Sequence, residues 1–347
     1  MFRSKTVFIV GAGASSEVGL PVGADLKKEI SRYINIKFQD GFNQDSGCPR
    51  IMDALRTYAN TNGQSTQLNE YVKTSWKVRD ALDVNRSIDN ALFSLSHDSK
   101  AEICGKLGIV RSILEAEKSS KLFFNRNNDQ KLDYSRIQES WYSRFINMLS
   151  EEVSINNIDN IFDNVSFISF NYDRCITHFL YESLQKIFAI SDIESKNLIN
   201  KLEIQYPYGC IGDLPWNHNF EKNIVDFGQT NSDLLKIAYN IKTFNENFED
   251  SPHIISTNSL IKNAETLVFL GFAFHRKNME LISLNNESNI KRIFATAHGI
   301  SDSDARFMKN EIKKYFSIND PDIVIEVRND LTCKKIFDEY WMTLTAH

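Results

Sequence analysis

The sequence predicts an α/β protein with a doubly wound, mainly parallel sheet and a large helical insertion. The chain begins with a run of apolar, strand-favouring residues at 6–10, which is typical of a strand covered on both faces. Segments with helical spacing then occupy residues 35–159. From residue 160 onward, strand-like and helix-like segments alternate, as they do in parallel sheets with right-handed crossovers.

Each element of the predicted sheet rests on a short apolar segment. The predicted strands are 6–10, 164–173, 202–209, 265–274, 290–299 and 322–328. Predicted helices begin at about Gly23 and after Asp173, and others cover 231–246, 276–284, 302–315 and 331–341. Residues 1–34 and 160–347 therefore form the predicted core, and residues 35–159 form the predicted insertion.

Bulk composition narrows the class of protein. A formal net charge of -5 argues against general attraction to nucleic acid or anionic membranes. No segment has the length of a membrane span or the form of a signal peptide, so we expect a soluble, cytoplasmic protein. The widely scattered cysteines indicate neither a disulfide framework nor a zinc site, and no metal is expected. They are Cys48, Cys104, Cys175, Cys210 and Cys333.

The first predicted strand leads into the glycine-rich segment GAGASSEVGLP, residues 11–21. Glycine permits a close approach by another molecule, so the segment is a candidate bed for phosphate. A dinucleotide fingerprint would need glycine where this chain has Ser16, and the lysine of a P-loop is missing. A tight strand-to-helix turn without a ligand is the alternative interpretation.

The second predicted strand ends in FNYD, which contains Asn171 and Asp173. Because ligands bind beyond the carboxyl ends of parallel strands, these side chains are expected at a site. An amide and a carboxylate there can hold ribose hydroxyls, orient water and stabilise developing positive charge. Asp173 also occupies the position of a helix cap, and capping remains an equal alternative for it.

The ordered motifs GAGAS and GLP, SFNYD, a YG pair and LGFAF resemble the sirtuin-like NAD-consuming domains of bacterial antiviral systems. The resemblance covers roughly residues 5–30 and 160–300. It implies a Rossmann-like domain that binds NAD as substrate and cleaves it to nicotinamide and ADP-ribose. It also implies control by homo-oligomerisation or by a partner protein of the defence system.

The resemblance also implies roles for individual residues. Asn171 and Asp173 correspond to the catalytic ribose end. The residues expected to contact NAD are Gly11, Ala12, Gly13, Ala14, Ser15, Pro21, Asn171, Gly209, Gly271 and Phe272. The loop reads GLPVGA and a four-cysteine zinc module is missing, so lysine deacylation is not expected.

The histidine that serves such domains as a base is replaced here, because the corresponding tip reads YPYG with Tyr206 and Tyr208. A tyrosine is a poor base at neutral pH, so the two rings are expected to stack on nicotinamide, bond a ribose hydroxyl or pack in the core. His275 and His298 are placed at other strand tips and are further candidates, whereas His178 is expected to be exposed.

Two alternatives to an active hydrolase remain open from the sequence. Loss of the histidine is consistent with a sensor or scaffold that binds NAD or ADP-ribose without cleaving it. The helical insertion is consistent with a structural subunit that mediates assembly.

Overall fold

A computed structural model describes residues 2–41, 43–128, 130–217, 223–244, 246, 252–284 and 288–345. The six strands of its main sheet are all parallel and lie in the order β5-β4-β1-β6-β7-β8. They are β1 (Thr6–Val10), β4 (Val165–Ser169), β5 (Glu203–Gln205), β6 (Thr266–Leu270), β7 (Arg292–Thr296) and β8 (Val324–Arg328). Counted along the chain, this is the 3-2-1-4-5-6 order of a Rossmann-like sheet. The predicted fold class is confirmed.

Every predicted helix has a counterpart among the helices that the structure describes. They are α1 (Ala12–Ser16), α2 (Gly23–Ile34), α3 (Pro49–Thr61), α4 (Leu68–Val84), α5 (Ile88–Ser94), α6 (Ala101–Ser119), α7 (Trp141–Ser150), α8 (Cys175–Phe188), α9 (Asp192–Ile199), α10 (Leu234–Ala238), α11 (Pro252–Asn263), α12 (Arg276–Leu281), α13 (Asp302–Tyr315) and α14 (Cys333–Thr345), the last kinked at Tyr340. A short antiparallel pair, β2 (Lys37–Phe38) and β3 (Gln44–Ser46), was not predicted.

Three differences from the predicted helices have local causes. The helix expected over 231–246 is only α10, because the chain turns away so that the Lys242 N–H donates to the Tyr208 carbonyl. Helix α9 was not predicted, although Ser191 and Glu194 form a capping box that signals its start. Helix α11 was also missed, and the glycine-rich segment contains the short helix α1 instead of an open loop.

The two faces of the sheet carry different apolar cores. Alternate side chains of β1 point to opposite faces, with Phe8 and Val10 on one and Val7 and Ile9 on the other. Helices α7, α8 and α14 cover the first face, and α11, α12 and α13 cover the second. The sheet is therefore doubly wound.

A third apolar core lies in a bundle of helices beside the sheet, which we call the helical core. It contains buried residues of α2, α3, α4, α5, α6 and α10. Helix α7, which follows α6 in the chain, packs instead with the sheet. The helical core thus includes α2, which precedes the predicted insertion in the sequence, and α10, which follows it. The boundaries of the insertion at residues 34 and 159 stay a prediction.

His178 is 2% exposed, so the prediction of an exposed side chain is wrong. Its ring stacks on Phe227 with the ring centroids 3.9 Å apart, and its Nε2 lies 3.1 Å from the Leu122 carbonyl. Burial lowers the pKa of His178 to about 3, so the ring is neutral at physiological pH. Residues remote in the chain supply this cover, which is why the pattern of helix α8 alone did not reveal it.

A buried ion pair joins the helical core to the start of α8. Arg174 Nη2 donates to Glu117 Oε2 at 2.6 Å, and both side chains are essentially inaccessible to solvent. The same carboxylate accepts the backbone N–H groups of Arg174 and Gly228. Glu117 therefore ties three chain segments together.

The glycines of the first loop are explained by a backbone crossing. The Gly13 N–H donates to the Gly271 carbonyl at 3.0 Å, and a Cβ at Gly11 would lie 2.6 Å from that oxygen. Gly271 has a φ of +55°, and a Cβ there would lie 2.6 Å from Gly13 Cα. The segment after β1 and the segment after β6 thus touch through their main chains.

Substitution Gly271→Ala should lower the free energy of unfolding by about 3 kcal/mol, because left-handed strain and overpacking act together. Chemical denaturation measures this change. Gly299→Ala is the matched control, because its φ of +78° is also left-handed but no heavy atom lies within 4 Å of an added Cβ. It should lose only about 1 kcal/mol. Equal losses in the two variants would show that the crossing is not tight.

Candidate functional site

A cavity of about 220 Å³ lies at the carboxyl ends of β1, β4 and β6, beside the helical core. The chain passes from β1 to β4 and β5 on one side and then returns to β6 on the other, so strand order reverses between β1 and β6. That reversal point is where open α/β sheets bind ligands. Residues within segments 11–21, 170–173 and 272–278 line the cavity from the sheet, and residues within 23–27 and 86–89 line it from the helical core.

Asn171 connects the two predicted strand tips. Its Nδ2 donates to the Gly11 carbonyl and to Ser15 Oγ, both at 3.1 Å. The side chain is 7% exposed and lines the cavity. Both contacts use the amide nitrogen, and in the part of the chain that the structure describes they are the hydrogen bonds of this side chain, so its Oδ1 can accept a bond from a ligand.

Asp173 lines the cavity and comes just before Arg174, which holds the N-cap position of α8 without a side-chain capping bond. Asp173 Oδ1 accepts the Cys175 N–H at 3.1 Å at the start of α8. Burial raises the pKa of Asp173, while hydrogen bonds from Ser15 and Cys175 partly offset that effect. Ser15 thus stands between Asn171 and Asp173, so the three side chains form one connected group.

The glycine-rich segment contributes less to the cavity than the sequence predicted. Gly11, Ala12, Ser15 and Pro21 line the cavity, whereas Gly13 and Ala14 lie outside its lining. The N–H groups of Gly11, Gly13 and Ala14 donate to backbone carbonyls at 3.0 Å. Those three donors are occupied within the protein, so they are not free to bind a phosphate, and the predicted contact of this segment with a nucleotide stays a prediction.

The two tyrosines of YPYG occupy different places. Tyr208 lines the cavity, and its hydroxyl donates to Asn278 Oδ1 at 2.7 Å. Tyr206 lies outside the cavity lining, where it shares a hydrogen bond with Thr177. Burial raises the pKa of both phenols above the usual value of 10, so neither acts as a base at neutral pH. Gly209 also lies outside the lining, and its positive φ of +74° accommodates a close approach to Asn240.

Two residues of the segment after β6, Phe272 and Gly271, were predicted to contact NAD, and they have different places in the structure. Phe272 is buried, lines the cavity and packs edge-on against Phe170 with the ring centroids 5.1 Å apart. Gly271 lies outside the cavity lining and makes the backbone crossing described above. Of the two candidate histidines, His275 lines the cavity and His298 lies outside its lining.

Several cavity residues were missed from the sequence because they come from the helical region. Arg86 and Asp89 flank the start of α5, and Lys27 lies on α2. Lys27 Nζ donates to the carbonyls of Leu82 and Asn85, which close helix α4. The sequence signal was the N-cap Ser87, which predicts a helix start at this point, but nothing local indicates that it faces the sheet.

Asp89 lines the cavity in an unusual environment, and the sequence did not indicate it as a site residue. Its Oδ1 accepts the Phe244 N–H at 3.4 Å, and burial raises its pKa to about 6. The positive charge of Lys277 lowers that pKa, but less than burial raises it. A cavity carboxyl whose pKa is raised by burial is typical of functional sites.

Comparisons with known proteins give no further assignment, because no protein-family model and no curated protein matches this chain. Within the described ranges, no helix is both long and apolar enough to cross a membrane. In that same part of the chain, three or more His, Cys, Asp or Glu side chains nowhere gather in an arrangement that suits a metal ion.

Proposed function

We propose that the protein is an NAD glycohydrolase that releases nicotinamide and ADP-ribose in this cavity. The observation that carries the proposal is the fixed amide of Asn171, which is held by Gly11 and Ser15 at the carboxyl edge of the sheet. The ordered motifs shared with sirtuin-like defence domains supply the choice of NAD.

The proposed reaction is hydrolysis of the bond between the ribose and the nicotinamide ring. Water adds to ribose C1′, the C1′–N bond electrons neutralise the pyridinium nitrogen, and one proton is released. Asn171 Oδ1 accepts a hydrogen bond from the water or a ribose hydroxyl. Asp173, behind Ser15, stabilises positive charge that develops on the ribose.

The size of the cavity favours one end of NAD. Its volume of about 220 Å³ is below the ~300–1,000 Å³ of common small-molecule pockets. We infer that the nicotinamide–ribose end enters the cavity and that the adenosine end extends outward past it. The aromatic rings of Phe170, Tyr208 and Phe272 offer apolar faces to a planar ring.

The antiviral role and its control are part of the proposal. Uncontrolled loss of NAD harms the cell, so the enzyme is held inactive until homo-oligomerisation or a partner protein of the defence system releases it. The test is to incubate the purified protein with NAD, alone and with candidate activators, and to measure nicotinamide and ADP-ribose. Product formation supports the hydrolase, whereas NAD binding without product under every condition rejects it.

A second candidate function is a catalytically impaired sensor that binds NAD or ADP-ribose. The raised pKa values of Tyr206 and Tyr208 favour it, since no base occupies the position of the usual histidine. A structural subunit without a nucleotide is distinguished from both by its melting temperature, which NAD and ADP-ribose would leave unchanged.

Substitution Tyr208→His should raise the rate of NAD cleavage by at least about tenfold, because residue 208 lines the cavity and a general base contributes ~10²–10⁴-fold. Asp89 lies close enough to influence the pKa of residue 208, so a histidine there would have an acidic neighbour. Tyr208→Phe is the control, because it keeps the ring without a base and should give no gain. A folded Tyr208→His protein that binds NAD but stays as slow as the parent would show that the missing base at position 208 does not limit the rate.

A further inference from the structure

Asp89 and Asn171 line the same cavity but belong to different parts of the fold. Asp89 is the second residue of α5, which belongs to the helical core, whereas Asn171 follows a strand of the sheet. The helical region therefore contributes an acidic side chain to a site otherwise built by the ends of the strands.

The carboxylate of Asp89 is not needed to cap its own helix. That role belongs to Ser87, whose Oγ accepts the Asn90 N–H at 3.1 Å. The Phe244 N–H reaches Asp89 Oδ1 at 3.4 Å, at the long end of hydrogen-bond distances. Among the described residues, the backbone N–H groups of Phe244 and of Asp89 itself donate to this carboxylate, which leaves it further capacity to accept bonds from a ligand.

The surroundings of Asp89 strengthen the attraction between its carboxylate and a positively charged ligand. It lies close enough to Tyr172 and Tyr208 for its charge to raise the pKa of both phenols. Asp89 is half-buried, and a partly desolvated charge attracts an opposite charge more strongly than a fully exposed one. Its own pKa of about 6 leaves it mostly ionised at pH 7.5.

The neighbouring cation does not neutralise this position. The charge of Lys277 reaches Asp89, but Lys277 Nζ donates to the Phe244 carbonyl at 2.9 Å and lies over the Phe93 ring. Asp173, the other cavity carboxyl, is engaged with Ser15 and the Cys175 N–H. Asp89 is the better placed of the two to meet a cation that enters the cavity.

We propose that Asp89 pairs with the positively charged pyridinium–ribose end of the substrate, an inference that rests on the proposed function. This pairing makes the cavity selective for cationic N-ribosides. The substrate ring carries a positive charge before the bond breaks, and the ribose carries it as the bond breaks. A carboxylate beside that end stabilises both states, so it contributes to binding and to the rate.

Other ionisable groups lie near Asp89, so a test must separate the effect of Asp89 on ligand binding from theirs. Those of the cavity lining are Lys27, Arg86, Tyr172, Asp173, Tyr208 and His275, and Lys277 lies behind Phe244. Burial lowers the pKa of His275 below its usual range, so protonation of His275 at acid pH would also weaken the binding of a cation. Only a comparison between variants at each pH isolates Asp89.

The experiment compares NAD with ADP-ribose, which has the same phosphates and lacks the cationic ring. Calorimetric titration of the full chain measures the ratio of the two dissociation constants at about pH 7.5 and about pH 5. The proteins are the parent, Asp89→Asn and the control Asp83→Asn, which changes an exposed carboxyl near the end of α4. If a preparation cleaves NAD during titration, initial rates at limiting NAD replace its dissociation constant.

At about pH 7.5 the preference for NAD should be about fivefold to tenfold smaller in Asp89→Asn than in the parent and in Asp83→Asn. That difference should shrink towards pH 5 as Asp89 becomes protonated. An equal preference in Asp89→Asn and the parent at both pH values, with both ligands bound, overturns the role of Asp89 and leaves nucleotide binding intact. Absence of binding by both ligands overturns the proposed function and the role of Asp89 together. Binding without cleavage rejects the hydrolase alone, and the ratio still decides the role of Asp89.

Discussion

Asn171→Ala should lower kcat/KM for NAD cleavage by about 10²–10³-fold, which is the usual cost of removing one positioned polar group from a transition state. The substitution removes Oδ1 from the cavity and deletes the bonds to the Gly11 carbonyl and Ser15 Oγ. Loss of those bonds should also cost about 1–3 kcal/mol of stability. Nicotinamide release measures the first effect, and denaturant unfolding measures the second.

Asn164→Ala is the matched control for this prediction. Asn164 lies just before the opposite end of the same strand, and its Nδ2 donates to the Phe2 carbonyl at 3.0 Å. Its loss should reduce stability modestly and leave NAD cleavage unchanged. Similar losses of cleavage in the two variants would assign the effect of Asn171→Ala to the fold instead of the site.

Glu117→Gln should lower the free energy of unfolding by about 3–5 kcal/mol, because it leaves the Arg174 guanidinium buried without its counter-charge. The two side chains are 0% and 1% exposed, so water cannot replace the lost partner. The glutamine also weakens the acceptor for the Gly228 N–H. Urea denaturation of the full chain measures the change in the free energy of unfolding. Following the unfolding transition with two different probes tests for an intermediate.

Two further variants separate the buried pair from general sensitivity to mutation. Glu70→Ala breaks an exposed pair with Lys73 on α4 and should leave the unfolding midpoint unchanged. The double variant Glu117→Leu with Arg174→Met removes both charges and should recover part of the stability lost by Glu117→Gln. A double variant less stable than the single one would mean that the bonds of Arg174 to Val225 and Asp226 outweigh the charge pairing.

The sheet could be predicted from the sequence because its strands are buried on both faces. Such strands appear as continuous apolar runs, and TVFIV and TLVFL became β1 and β6 with every residue buried. Strand β5 was predicted over 202–209 but forms only Glu203–Gln205, because its pairing is confined to β4 at the edge of the sheet. Local patterns specify which segments become strands more reliably than they specify where pairing stops.

The candidate site could be predicted only in part. Asn171 was placed correctly at a cavity because the end of a parallel strand has a defined position in this kind of sheet. The structure gives Gly13 and Gly271 a role that the sequence did not indicate, because two main chains cross there, and their contact with a ligand stays a prediction. The spacing of glycines does not show whether their backbone approaches a bound phosphate or the chain segment that follows another strand.

The amino-acid sequence by itself determined the strand and helix alternation, the doubly wound class and the two strand tips that meet at Gly11 and Asn171. Those features follow from side-chain periodicity and from the fixed direction of parallel strands, which are local properties. Only the tertiary structure decided that His178 is buried, that the first loop bonds to the backbone at the end of β6 and that Asp89 lines the same cavity as Asn171. Each of these depends on contacts between residues far apart in the chain, and burial by such contacts sets the charge state and the bonding partners of a side chain.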